Sequence, residues 1–249
     1  MIREPLVKRD FGKSGRFRWR GHEISRIEGL SDAVFAFAIT LLVVSLEVPD
    51  SYDKLIELMA GFVPFGCSFA LLTWLWYEHN IFFRRYGLQD AYTVTLNAVL
   101  LFVVLFYVYP LKFLFTAFFS FFMPILGVRL RIHPAQLGTI FAIYGAGFVI
   151  IFLMFGLLYL QAYRKRKEIG LTPLEVFDTR AAGGEHLVSA SVGALATFVA
   201  LAAPPPYPAF SGFTYFLMGP AHWIYGARVG RRRKEMLAAS TAGDAAAIA

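Results

Sequence analysis

Residues 26–49 have the sequence RIEGLSDAVFAFAITLLVVSLEVP. From Ala33 to Leu46 no side chain is charged, and most are aliphatic or aromatic. A helix rises about 1.5 Å per residue, so about 20 such residues cross the roughly 30 Å hydrocarbon core of a bilayer. The stretch therefore predicts a membrane-spanning helix that carries two polar side chains, Ser31 and Asp32, near its start.

The composition extends this prediction to the whole chain. The 249 residues are 57% hydrophobic and only 16% charged, against about 25% charged residues in ordinary soluble domains. We predict an all-α, polytopic membrane protein with six transmembrane helices, at residues 29–48, 55–77, 91–109, 137–163, 187–203 and 207–227. The predicted domains are a basic cytoplasmic arm (1–25), a six-span transmembrane domain (26–227) and a basic, then Ala-rich, cytoplasmic tail (228–249).

The positive charge is distributed unevenly between the predicted loops. All but four of the 24 Lys and Arg residues fall in the two terminal segments and in the loops after the second and fourth spans. Cytoplasmic loops carry such an excess, so both termini are predicted to be cytoplasmic. We expect these residues to contact anionic lipid headgroups rather than nucleic acid, because no nucleic-acid recognition motif accompanies them.

Signatures of enzymes and metal centres are absent from the sequence. The single cysteine, Cys67, excludes a disulfide framework, and the five histidines have no ligand spacing. There is also no phosphate-binding glycine loop and no Gly-x-Ser-x-Gly elbow. We therefore expect no enzymatic activity, no cofactor and no metal site.

The first predicted helix has an apolar stripe. At 100° per residue Thr40 lies beside this stripe, which consists of Ala33, Phe37, Leu41, Val44 and Val48. By spacing alone, packing against lipid or other helices is the favoured interpretation. Identical stripes that met around a symmetry axis would instead form a hydrophobic pore that gates by dewetting.

Ser31 and Asp32 lie off the stripe and require their own explanation. A carboxylate inside a bilayer costs about 2–3 kcal/mol near the centre, so such a residue usually has a partner. Alternatively, the pair caps the helix N-terminus, where free N–H groups and the helix dipole favour it. At the other end of the helix, Glu47 and Asp50 fall in an acidic cluster that would concentrate cations at a pore mouth or simply form a polar loop.

The first helix resembles the signature of the transmembrane protein 175 family of lysosomal-type potassium channels, particularly its six-helix bacterial members. The family pattern is approximately Arg-x-x-x-Phe-Ser-Asp-[Gly/Ala]-Val-[Phe/Tyr]-Ala-Ile-x-x-Thr-Leu-Leu. This chain differs at Leu30, where the family has an aromatic residue, and at Phe37, where an Ile or Leu is usual. It matches at Arg26, Ser31, Asp32, Ala33, Val34, Phe35, Ala36, Thr40, Leu41 and Leu42.

The resemblance implies a homotetrameric, potassium-permeable ion channel of the bacterial inner membrane, with the first helix lining a central pore. It implies a hydrophobic gate at Phe37, Leu41 and Val44, with a hydroxyl layer at Thr40. Arg26, Ser31 and Asp32 would form a polar motif that fastens the first helix to its neighbours. We expect some of Trp76, His79 and Asn97 to hydrogen-bond to Asp32 or Ser31; the alternative for His79 is a solvated histidine at the cytoplasmic edge.

Two other functions remain open at this point. An ion-coupled secondary transporter could move protons through Asp32 or His79, although no inverted repeat is evident. A non-conducting membrane scaffold could retain the fold with Phe37 closing the axis.

Overall fold

The computed structural model describes residues 17–21, 23–44, 48–122, 133, 136–204 and 207–248, and all regular secondary structure in these ranges is helical. The all-α class is therefore confirmed for the described residues. The helices are α1 (Arg26–Val44), α2 (Tyr52–Ala60), α3 (Phe62–Tyr86), α4 (Ala91–Phe122), α5 (Leu137–Arg164), α6 (Pro173–Ala202), a 3₁₀ helix (Tyr207–Leu217) and α7 (Met218–Ile248).

Among the described residues, three helices are long and apolar enough to cross a membrane. They are α4 over Ala91–Ser120, α5 and α6. The helices α2 and α3 would together make a fourth span, bent by 41° at the break between them. Length and composition therefore identify a multi-pass membrane protein with fewer obvious spans than the six predicted.

The chain divides into two compact units, Met1–His133 and Pro134–Ala249. In the N-terminal unit, α1, α3 and α4 all pack against one another, and α2 contacts α3. The side chains between the three long helices are almost fully buried and include Phe35, Leu42, Leu72, Phe82, Leu100 and Val104.

The helix α1 begins three residues before the predicted span. Ser25 and Glu28 cap it: the Glu28 backbone N–H donates to Ser25 Oγ (3.2 Å), and the Ser25 N–H donates to Glu28 Oε2 (2.7 Å). These two bonds satisfy N–H groups that the first helical turn leaves without partners. The alternative that Ser31 and Asp32 cap this helix is therefore wrong, since both lie in its second turn.

The helix α4 continues through Pro110 to Phe122 and is longer than the predicted span 91–109. Pro110 removes one backbone hydrogen bond, but membrane helices tolerate proline where neighbouring groups satisfy the freed carbonyl. The apolar segment after Tyr109, which lies beyond the predicted span, is an extension of this helix up to Phe122.

In the C-terminal unit α5 and α6 pack side by side, with the 3₁₀ helix and α7 against α6. The prediction that the fifth span starts at residue 187 was too late, because α6 starts at Pro173 behind a capping box formed by Thr172 and Glu175. Hydropathy misses its polar first turns. Predicted span 207–227 divides at Leu217 into the 3₁₀ helix and α7, and α7 continues into the predicted tail.

Candidate functional site: the two faces of the first helix

One face of α1 is exposed and the other is buried in the N-terminal unit. The buried face, against α3 and α4, consists of Ser31, Phe35, Ala38 and Leu42. The exposed face, called the open face below, consists of Ala33, Ala36, Phe37, Thr40 and Val43. A helix with one face unpartnered in its own chain requires lipid, water or another molecule to cover that face.

The structure places two of the predicted constriction residues on the open face. Phe37 is 55% exposed, and Thr40 is exposed while its hydroxyl donates to the Ala36 carbonyl (2.8 Å). Leu41 lies at the edge of the face and is half-buried. Val44 is the last residue of α1, and its side chain lies outside the described part. The stripe drawn from the sequence omitted Val43, which is 49% exposed.

On the buried face, Ser31 begins a hydrogen-bond chain across three helices. The Asn97 side-chain amide on α4 donates to Ser31 Oγ (2.9 Å), and Asn97 Oδ1 lies 2.8 Å from His79 Nε2 on α3. The Ser31 hydroxyl donates to the Ile27 carbonyl (2.8 Å). Its oxygen must therefore accept from Asn97, which turns the Asn97 oxygen toward His79 and assigns a proton to His79 Nε2.

The three side chains of this hydrogen-bond network, Ser31, His79 and Asn97, are at most 2% exposed. Buried polar groups are stable only when they are paired, and here each of the three side chains makes a hydrogen bond to another member of the network. His79 also packs its ring against Phe83 at 4.6 Å and against Phe35 at 5.7 Å.

A second polar link fixes α1 to α3. The Trp76 indole N–H donates to Asp32 Oδ1 at 2.7 Å. Asp32 is half-buried beside the Ser31 chain. The structure thus brings together Ser31, Asp32, Trp76, His79 and Asn97, the set named from the sequence.

The other predicted site residues lie apart from this cluster. Arg26 is exposed, and its guanidinium makes no hydrogen bond or ion pair with a residue that the structure describes. Asp50 forms an exposed ion pair with Lys54 (2.9 Å), and Glu47 lies outside the described residues. Within the described ranges, no group of three or more His, Cys, Asp or Glu side chains could hold a metal ion.

Sequence reasoning missed the segment Phe17–Gly21, called the strap below, which precedes α1. The backbone N–H groups of Arg20 and Gly21 donate to the Arg84 carbonyl at the end of α3 (3.1 and 3.0 Å). Phe17 is buried edge-on against Tyr86 (5.6 Å), and the Arg84 guanidinium lies 3.9 Å from the Trp19 ring. The signal was the alternation of aromatic and basic residues at 17–20, which is unusual for a loose arm.

Comparisons with known proteins identify relatives of this chain. The family described as "Endosomal/lysosomal potassium channel TMEM175" matches residues 26–107, which include the polar cluster. A "Potassium channel" from Marivirga tractuosa is 38% identical over 238 residues, covering 91% of this chain and 96% of its own length. A potassium channel from Chamaesiphon minutus is 30% identical over 148 residues, covering 56% of this chain and 66% of its own length.

A solved structure has a similar fold. It is the crystal structure of a threonine-to-alanine variant of the potassium channel MtTMEM175 in complex with a Nanobody-MBP fusion protein. The two chains superpose with a TM-score of 0.79 at 37% identity, over 88% of this chain and 99% of that chain.

Proposed function

Because the chain belongs to the endosomal/lysosomal potassium channel TMEM175 family, we propose that it conducts K⁺ passively through a pore lined by the open face of α1. Four copies surround the pore axis, and each contributes six spans: α1, α2 with α3, α4, α5, α6, and the 3₁₀ helix with α7. The protein lies in the inner membrane of a bacterial cell with both termini cytoplasmic, since the basic residues concentrate at the ends and two loops.

The observation that carries this proposal is the orientation of α1. Its polar groups turn inward to α3 and α4, whereas the open face presents Phe37 and Thr40 away from the unit. A potassium channel needs a surface that contacts the permeating ion. The open face is a candidate for this surface, and it lies within residues 26–107, which match the potassium channel family. In the tetramer, four such faces would surround the axis.

Phe37, Leu41 and Val44 form the constriction, and Thr40 adds a hydroxyl layer beside it. An apolar ring offers no ligands, so K⁺ sheds part of its hydration shell there, and the ring excludes water when it narrows. Phenyl rings differ from aliphatic side chains in one respect, since their faces attract a cation within about 6 Å. Phe37 therefore sets both the width and the cation affinity of the ring.

The polar cluster positions α1 and does not contact the permeating ion. Ser31 is tied through Asn97 to His79 on the side of α1 opposite the open face, and Asp32, half-buried at the flank of α1, is tied to Trp76. Arg26 belongs to the same sequence motif and lies exposed at the first turn of α1, where it is available to a neighbouring subunit or to lipid headgroups.

Glu47 and Asp50 lie at the outer mouth of the pore, where carboxylates raise the local concentration of cations. The ion pair between Asp50 and Lys54 reduces the contribution of Asp50, although an exposed pair of this kind holds its partners only weakly. No cofactor is required for passive conduction.

The test is ion flux from liposomes that contain the purified protein, with K⁺ and Na⁺ gradients measured separately. We expect Phe37→Ala to raise the K⁺ flux and to lower the K⁺ over Na⁺ preference, because the ring widens and loses its aromatic faces. Phe102→Ala is the matched control: Phe102 is 70% exposed on α4 rather than on α1, and its removal should leave both fluxes unchanged.

Each other outcome has a definite meaning. Flux in Phe37→Ala but none in the natural protein would indicate a real pore that is normally shut. Equal flux in a conducting natural protein and in Phe37→Ala would refute the constriction. Absence of flux in both proteins, or flux that requires a coupled ion, would refute the channel.

A further inference from the structure

In the C-terminal unit, two arginines share one aromatic ring. The guanidinium carbon of Arg166 lies 4.5 Å from the Tyr163 ring centroid, and that of Arg180 lies 5.2 Å from the same centroid. Tyr163 is in the last turn of α5, Arg166 is in the turn that follows, and Arg180 is in the second turn of α6. The two positive charges therefore lie within about 10 Å of each other, a distance comparable to the Debye length.

The nearby carboxylates are engaged elsewhere. Asp178 receives two bonds from Arg233 of α7 (2.9 and 3.2 Å), Glu168 pairs with Lys165 (3.0 Å), and Glu175 belongs to the α6 cap. Neither Arg166 nor Arg180 forms an ion pair with any carboxylate that the structure describes. The ring faces offset only part of the repulsion between the two cations, so the pair favours an added anion.

The turn after α5 holds Arg166 in place before any ligand arrives. The turn after α5 closes through backbone bonds from Ile169 to Lys165 (3.1 Å) and from Leu171 to Arg166 (2.9 Å), with Gly170 in the left-handed region at φ +62°. Arg166 also donates to the Tyr163 carbonyl (3.0 Å). An arginine held in this way loses little side-chain entropy on binding a phosphate with two parallel bonds.

We propose that Tyr163, Arg166 and Arg180 form a binding site for the phosphate of an anionic phospholipid. The site lies at the polar end of two helices that are long and apolar enough to span a membrane, where a headgroup meets protein. Arg164 and Lys167, both exposed, flank it and add positive charge. Tyr163 is half-buried, at the level where aromatic rings meet headgroups in membrane proteins.

The experiment measures binding of phosphatidylglycerol to the detergent-purified full chain by native mass spectrometry, with phosphatidylcholine of the same acyl chains for comparison. We expect the double variant Arg166→Gln, Arg180→Gln to bind phosphatidylglycerol at least about tenfold more weakly, which corresponds to a loss of about 1.4 kcal/mol of binding free energy, because charged hydrogen bonds to the phosphate are lost. The double variant Arg228→Gln, Arg231→Gln removes the same charge from exposed positions on α7 and should bind normally.

Two further variants test the role of the ring. Tyr163→Phe keeps the ring and should bind like the natural protein, whereas Tyr163→Leu frees both guanidinium groups and should weaken binding. If the glutamine pair does not fold, as judged by its elution volume and melting temperature, the pair Arg166→Lys, Arg180→Lys keeps the charge without the planar fork and should still weaken binding.

Three results would overturn the proposal. Equal weakening in the α7 control would mean diffuse charge attraction rather than a site. Equal binding of phosphatidylcholine would mean that the site does not distinguish an anionic headgroup from a zwitterionic one. Displacement of the lipid by inorganic phosphate at comparable concentration would assign the site to a free anion. Lipid binding is measured without ion flux, so these results are independent of the channel proposal.

Discussion

Asn97 is the residue through which α1, α3 and α4 share one hydrogen-bond network. Its amide group donates to Ser31 while its oxygen faces the His79 Nε2 proton, so one side chain serves two helices at once. No apolar residue of similar size can replace it without leaving the His79 donor, which is 1% exposed, without a partner. A buried donor left in this way costs about 1–3 kcal/mol.

We therefore predict that Asn97→Leu lowers the free energy of unfolding of the detergent-purified protein by about 1–3 kcal/mol, and with it the melting temperature. Tryptophan fluorescence on heating measures the shift. Thr95→Val, on the same helix, is the control because Thr95 is exposed and bonds only to the Ala91 carbonyl of its own helix. A melting temperature in Asn97→Leu no lower than that of Thr95→Val would mean that the network does not stabilise the unit.

At the scale of the elements, the sequence predicted where apolar helices lie better than where helices begin. Hydropathy placed the start of α5 at Leu137, which agrees with the structure, because that helix is apolar from its first turn. It missed the starts of α1 and α6, where the first turns are polar and are stabilised by capping boxes at Ser25 and Thr172. A Ser/Thr-x-x-Glu pattern is present at both places and would have located them.

The strap shows what sequence reasoning could not supply. Aromatic and basic residues at 17–20 can lie loosely at a membrane surface or pack on protein, and only the three-dimensional end of α3 decides between the two. In the structure the strap packs on protein: its backbone donates two hydrogen bonds to the Arg84 carbonyl, and its Phe17 side chain is buried. The same limit applied to Asp32: the residue types around it were predictable, but the pairing with Trp76 depends on helix rotation.

The fit of the strap on α3 depends on Gly21. A methyl group there would lie 2.9 Å from the Phe83 carbonyl oxygen and 3.1 Å from the Arg84 Cα, both backbone atoms that cannot move aside alone. We predict that Gly21→Ala detaches the strap and that trypsin then cleaves after Arg18 and Arg20 several-fold faster, as read by peptide masses. Gly66→Ala, a site on α3 with open space around it, should leave the cleavage rate unchanged. Unchanged cleavage in Gly21→Ala would show that the strap tolerates the added atom.

At the scale of the whole molecule, the open face requires a partner that the single chain does not provide. The polar cluster fixes the rotation of α1, and that rotation leaves Phe37, Thr40 and Val43 outside the N-terminal unit. If the face only met lipid, the Thr40 hydroxyl would still be satisfied by its bond to its own helix. If four faces converge on an axis, the same rotation determines which residues line the pore.

We predict that the purified protein is a tetramer, with a protein mass by light scattering four times the 27.9 kDa of the chain. In a Cys67→Ser background, Thr40→Cys should form a disulfide between neighbouring chains on oxidation, because a disulfide needs Cα atoms within about 7 Å and only the pore axis brings copies of α1 that close. Ala38→Cys is the matched control, since Ala38 is fully buried on the opposite face and should not cross-link. A protein mass of one or two chains would refute the tetramer. A true tetramer in which Ala38→Cys cross-links and Thr40→Cys does not would refute the orientation of α1 instead.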